Sequence, residues 1–192
     1  ISKTIIKMAK LFGLITITLL PMLLLGQGSY APNASTFGTT AIHKDSSVFV
    51  AWANNCITQR GPQDIAVPNS PMTTAGDDYM ATDKSGVNGI VSLGDGGMAT
   101  LTFSQPIFDG PGSDFAVFEN SFSDNFLELA FVEVSSDGQF FVRFDATSEV
   151  QTSTQTGAFD FTDATEINNL AGKYRGQYGT PFDLNELSGV AG

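Results

Sequence analysis

Residues 127–145 read Leu-Glu-Leu-Ala-Phe-Val-Glu-Val-Ser-Ser-Asp-Gly-Gln-Phe-Phe-Val-Arg-Phe-Asp, and this stretch decides the fold class. Successive side chains of a strand point to opposite faces. Leu127, Leu129 and Phe131 therefore share one face, and Ala130, Val132 and Val134 share the other. Both faces are apolar, which predicts a strand covered on both sides. Ser135-Ser136-Asp137-Gly138 predicts a hairpin turn in which Gly138 supplies a positive φ. A return strand is expected from Phe140 to Asp145, with Phe140, Val142 and Phe144 on one face.

The same pattern extends upstream. Ala99, Leu101 and Phe103 alternate with Thr100, Thr102 and Ser104, the signature of a half-buried strand. Short strands are also expected at Ile90–Leu93 and Phe115–Phe118. One helix is predicted from Asp45 to Cys56, where Val48, Phe49, Trp52 and Cys56 recur at helical spacing behind a capping Asp45 or Ser46. Trp52 and Cys56 on that stripe are expected in the core. Residues 60–88 are punctuated by Gly and Pro and read as one long loop, functional or mobile. Asp163 to Lys173 reads as a short helix or coil, and Tyr174 to Asp183, with three Gly or Pro breakers, as loop. Many short strands with Gly turns predict a mainly-β domain: an antiparallel, jelly-roll-like β-sandwich with one short helix.

The N-terminus has a different character. Lys3, Lys7 and Lys10 precede an uncharged apolar run, Leu11 to Leu25, ending at Gly26-Gln27-Gly28. That is the layout of a secretory signal over residues 1–26. The run falls short of the ~20 residues a membrane-crossing helix needs, although an uncleaved anchor is the alternative. Residues 27–40 form a polar leader, and 41–192 the sandwich domain. The chain starts with Ile and stops after Gly189-Val190-Ala191-Gly192, so that domain is expected to be an incomplete piece of a longer protein. The expected location is secreted or on a bacterial cell surface, with membrane contact only through the signal during export.

Behind the signal lie 6 Lys or Arg and 20 Asp or Glu, a net charge of 6 − 20 = −14. Such a surface repels phosphate backbones and disfavours nucleic acid as a partner. It suits hard cations. Asp95 sits in Gly94-Asp95-Gly96-Gly97, Asp109 and Asp114 flank Gly110-Pro111-Gly112, and Glu119-Asn120 closes the next strand. Ca²⁺ takes oxygens from carboxylates, amides and backbone carbonyls, and Gly turns let such groups converge. Asp95, Asp109, Asp114, Glu119 and Asn120 are therefore candidate ligands for a structural Ca²⁺, the competing reading being that each Asp bonds its own turn.

Catalytic patterns are thin. His43 is the only His and Cys56 the only Cys, so a Ser–His or Cys–His centre lacks parts and no internal disulfide can form. A glycoside hydrolase needs two carboxyl groups ~5–9 Å apart. Glu128 and Glu133 have opposite strand parity, so Glu119 with Glu128 or Asp124 is the pair left. Aromatic residues in the expected loops, Tyr79, Tyr174, Tyr178 and Phe182, lie near Asp78, Arg175 and Asp183, a combination that stacks and hydrogen-bonds sugars or else packs back as loop plugs.

Two resemblances bear on these residues. Phe131 to Phe140 resembles the strand–turn–strand of discoidin-like, galactose-binding jelly-roll modules. The segments Gly94–Gly97, Asp114–Asn120, Asn169–Tyr174 and Gly179–Leu184 resemble a family of uncharacterised bacterial cell-surface proteins, over most of Ser29 to Leu187. The second resemblance implies an exported surface protein, often with a C-terminal sorting region, and no established activity. The function expected from sequence is non-catalytic binding of a glycan or cell-surface polymer. The alternatives are a secreted carbohydrate-active hydrolase and a structural or adhesion module.

Overall fold

The computed structural model describes residues 28–150, 153, 156 and 160–190. The predicted signal, residues 1–26, lies outside them. No helix of the described residues is long and apolar enough to cross a membrane. The strands are β1 (Ile42–His43), β2 (Asn55–Gln59), β3 (Met98–Thr102), β4 (Phe115–Phe118), β5 (Ala130–Phe131), β6 (Glu133–Val134), β7 (Val142–Arg143), β8 (Thr147–Ser148), β9 (Ile167–Asn168), β10 (Leu170–Ala171) and β11 (Tyr178–Phe182). Every ladder is antiparallel: a three-stranded sheet β1-β11-β4 and the pairs β2–β3, β5–β10, β6–β7 and β8–β9. The fold is mainly β, as the alternating pattern predicts.

The expected helix is absent. Residues 45–54 run through turns and extended chain, and Cys56 lies on β2 opposite Leu101. The helical spacing was coincidental: Val48 and Val50 are exposed, so no continuous apolar stripe meets a core. An isolated helix of that length gains too little without such burial. Its aromatic residues cluster all the same, with Phe49 and Trp52 5.2 Å apart and Trp52 5.3 Å from Phe118 of β4. Among the described residues the only helical segments are 3-10 turns at Asp78–Ala81, Ala164–Glu166 and Leu184–Leu187. Ile90 to Leu93 forms no strand.

The segment 127–145 is less regular than its pattern implies. The strand changes partner at Val132, pairing with β10 before it and with β7 after it. Leu127 and Val132 are buried, while Leu129, Ala130 and Phe131 are exposed, so each face is covered only in part rather than along its length. Arg143 replaces part of the missing cover, its guanidinium 4.3 Å from the Phe131 ring and paired with Glu133 at 2.6 Å. Gly138 takes φ 73°, as the turn requires. Asp137 shapes the rest of that loop, its Oδ1 accepting from the N–H groups of Gln139 (2.7 Å) and Phe140 (3.0 Å). Phe140 is consequently drawn out of the return strand and exposed.

The largest correction is β11. Residues 178–182, read as loop, form the middle strand of the three-stranded sheet. Its breakers are placed where a sheet tolerates them. Pro181 has no N–H to give, and β1 reaches only Tyr178 and Gly179, leaving Pro181 a partner on the β4 side alone. Gly179 faces β4, where a Cβ would sit 2.8 Å from the Phe118 ring. The core forms around this strand: Phe182 stacks on Phe115 at 5.3 Å and meets Phe144 at 5.0 Å, with Val132 and Ala171 alongside. A second cluster joins Leu127, Ala164, Ile167 and Leu170.

The long segment after β2 is ordered by one side chain. Arg60 donates to the carbonyl oxygens of Ala75 (2.8 Å), Gly76 (2.6 Å) and Ser92, tying two remote points of the segment to the end of β2.

Candidate functional site

Strand β11 carries functional candidates at both ends. In an antiparallel pair the residue numbers of partners have a constant sum. Phe182 faces Phe115, so Asp183 continues the register opposite Asp114. The turn 109–113 returns Asp109 to the same place. Carboxylate oxygens of Asp109, Asp114 and Asp183 all lie within 4.8 Å of one another. Two of the three are anchored by backbone donors. Asp114 Oδ1 accepts from Gly110 N–H (2.7 Å) and its Oδ2 from Leu184 N–H (2.8 Å). Asp183 Oδ1 accepts from Asn185 N–H (2.9 Å) and so caps the 3-10 turn that follows. Three carboxylates this close repel one another unless a cation or protons intervene. A hard cation could draw on them for part of the about six to eight oxygens it takes.

The sequence candidates thus divide. Asp109 and Asp114 come together, and Asp183, expected among the sugar-binding residues, is the third member. Asp95 and Glu119 do not join them. Asp95 Oδ2 accepts from Ile65 N–H (2.9 Å), so it ties its turn to a remote point of the long segment after β2 rather than bonding its own turn. Glu119 Oε2 accepts from both the N–H (2.6 Å) and the hydroxyl (2.7 Å) of the buried Ser121. Asn120 is exposed between them.

At the other end of β11, Arg175 and Tyr178 meet. The Arg175 guanidinium lies 4.6 Å over the Tyr178 ring. Its Nε stands 3.2 Å from Asp124 Oδ1, a charge contact without hydrogen-bond alignment. The Tyr178 ring also receives the edge of His43 at 5.1 Å, and its hydroxyl lies 2.9 Å from Ser35 Oγ. The turn leading in is held by Gly176 N–H on the Ser121 carbonyl (2.6 Å). Tyr178 is half-buried, and both charged side chains remain about one-third exposed (31% and 35%). The other aromatic candidates lie elsewhere. Tyr174 is a core residue rather than a loop residue, 1% exposed, with its hydroxyl 2.7 Å from Thr40 Oγ1. Tyr79 is exposed on the 3-10 turn that packs beside β2.

Glu119 and Glu128 approach closely enough to share a hydrogen bond. Burial, and then the charge of Glu119, hold the Glu128 carboxyl above the usual carboxylate range. Glycosidase carboxyls stand about 5–9 Å apart, with water or a sugar oxygen between them. The fold thus brings the two acids of this sequence-derived pair together. The sequence offered Asp124 only as a carboxylate partner for Glu119, and Ser121 not at all. Their only signal was adjacency to Glu119-Asn120, and the contact with Arg175 spans some fifty residues.

Comparison of the chain with protein-family models, with curated proteins and with solved structures finds no match.

Proposed function

We propose that this chain is an exported, non-catalytic binding module of the bacterial cell surface that takes a glycan or surface polymer against Tyr178, Arg175 and Asp124. One observation carries the reading: an aromatic ring, a guanidinium stacked 4.6 Å over it and a carboxylate 3.2 Å from that guanidinium, all partly exposed on a sheet-anchored turn. Sugars are bound by that combination, since the ring packs against C–H faces while the charged groups bond hydroxyls. Within the same proposal, Asp109, Asp114 and Asp183 hold a cation of the Ca²⁺ type that fixes the end of β11.

A glycan array read with and without Ca²⁺ tests this. Binding that is lost in Tyr178→Ala and Arg175→Ala, with folding intact, is the expected result. A blank array with folded parent protein refutes the reading and leaves the structural or adhesion role.

A further inference from the structure

Lys173 stands apart from the other cations. Lys84, Arg143 and Arg175 each meet a carboxylate, while Lys44 and Arg60 give hydrogen bonds to carbonyl oxygens and are partly exposed. Lys173 is 4% exposed, and among the described residues no carboxylate lies within ion-pair distance of it. Its Nζ donates to the Ile167 carbonyl at 2.6 Å and lies 5.7 Å from the rings of Tyr30 and Tyr174. An ammonium has three donors, and a desolvated one with a single full partner is costly. That cost is informative in a domain whose net charge is so negative.

Lys173 lines a cleft of about 300 Å³ together with Thr40, Asn168, Asn169, Thr180 and Glu186. Thr180, in the middle of β11, is 4% exposed, and its hydroxyl has no hydrogen-bond partner. The cleft therefore combines an unpaired cation, an unsatisfied hydroxyl and several amide or carboxylate groups. Its volume is at the small end for ligand pockets, room for about one sugar ring. A doubly charged phosphate fits poorly, because Glu186 and the surrounding negative charge oppose it. A single carboxylate matches the one cation.

We propose that this cleft binds a small carboxylate-bearing polyol, one uronic-acid ring in size, with its carboxylate on Lys173 and its hydroxyls on Thr180, Asn168 and Glu186. The site is separate from the Arg175–Tyr178 surface and does not depend on it.

Calorimetric titration of the full chain with galacturonate, galactose, inorganic phosphate and a galacturonate trimer tests the assignment. Galacturonate is expected to bind about 10- to 100-fold more tightly than galactose, the span of one charge-assisted hydrogen bond. Lys173→Met removes that advantage. Thr180→Val keeps the side-chain shape and weakens galacturonate severalfold, which retains a test if the lysine variant fails to fold. Arg175→Ala keeps the Lys173-dependent preference for galacturonate over galactose, which distinguishes failure here from failure of the glycan surface. Preference for the trimer identifies the ligand as a polymer end, and preference for the monomer as a free sugar acid. Equal affinity for galactose, tighter binding of phosphate, no binding by folded protein, or full binding by Lys173→Met each overturns the proposal.

Discussion

Replacing Lys173 by Met changes the pH dependence of stability in a way that isolates one buried charge. Burial lowers the Lys173 pKa from 10.5 to about 8. That gap corresponds to about 3 kcal/mol. The native state holds the proton less tightly than the unfolded chain does. Below about pH 8 the ammonium is charged in both states, and the native state bears the whole penalty. Between about 8 and 10.5 the native protein has released a proton that the unfolded chain keeps, so stability rises with pH until the penalty is gone. At pH 7 the penalty is about 3 kcal/mol, and by pH 10 it has fallen to about 1 kcal/mol. Met removes it throughout, at a pH-independent cost of about 1–3 kcal/mol for the lost bond to the Ile167 carbonyl. Variant minus parent stability should therefore decrease by about 2 kcal/mol from pH 7 to pH 10. Glu186 across the cleft and the Tyr30 and Tyr174 phenols are present in both proteins, so their contributions largely subtract. The assay is urea denaturation followed by the fluorescence of Trp52, the single Trp of the chain. A difference that stays constant from pH 7 to pH 10 refutes the reasoning.

Other perturbations probe the rest of the molecule. Glu128→Gln should raise the melting temperature at pH 7 by removing a carboxylate that burial and Glu119 disfavour, and the gain should shrink once pH falls below the raised native pKa and be gone below the ordinary value of 4.5, where both states are protonated. Gly179→Ala places a methyl 2.8 Å from the Phe118 ring and should lower the urea midpoint by about 1–3 kcal/mol of stability with an unchanged slope. Added Ca²⁺ should raise the melting temperature, reversibly with chelator, and Asp114→Asn should abolish the response; a parent melt indifferent to both refutes the cation at Asp109, Asp114 and Asp183. Phe144→Ala should cost about 3–5 kcal/mol, because Phe144 is 1% exposed between Phe115 and Phe182.

The candidate sites were only partly legible in the linear chain. Asp109 and Asp114 flank a Gly-Pro-Gly turn, so their meeting follows from local geometry. Asp183 was visible as an acid but not as their neighbour. Its place depends on the β11–β4 register, and β11 itself contains Gly179 and Pro181, which argue against a strand when read locally. Arg175 and Tyr178 are three residues apart, and their contact is a local one. Asp124, which holds Arg175, is not.

By itself the sequence determined the class: alternating residues such as Ala99, Leu101 and Phe103 carry a period of two, and that period means strands whatever they pair with. It also set the charge balance, the lone Cys and the turn at Gly138. Tertiary structure decided which strands pair, and hence everything that pairing controls. It turned Asp45–Cys56 from a helix into turns and a strand, because Cys56 found Leu101 rather than an apolar groove. It left the segment open at Leu129, Ala130 and Phe131, and it enclosed Lys173. Periodicity is a property of neighbours in the chain, whereas burial and charge pairing are properties of neighbours in space.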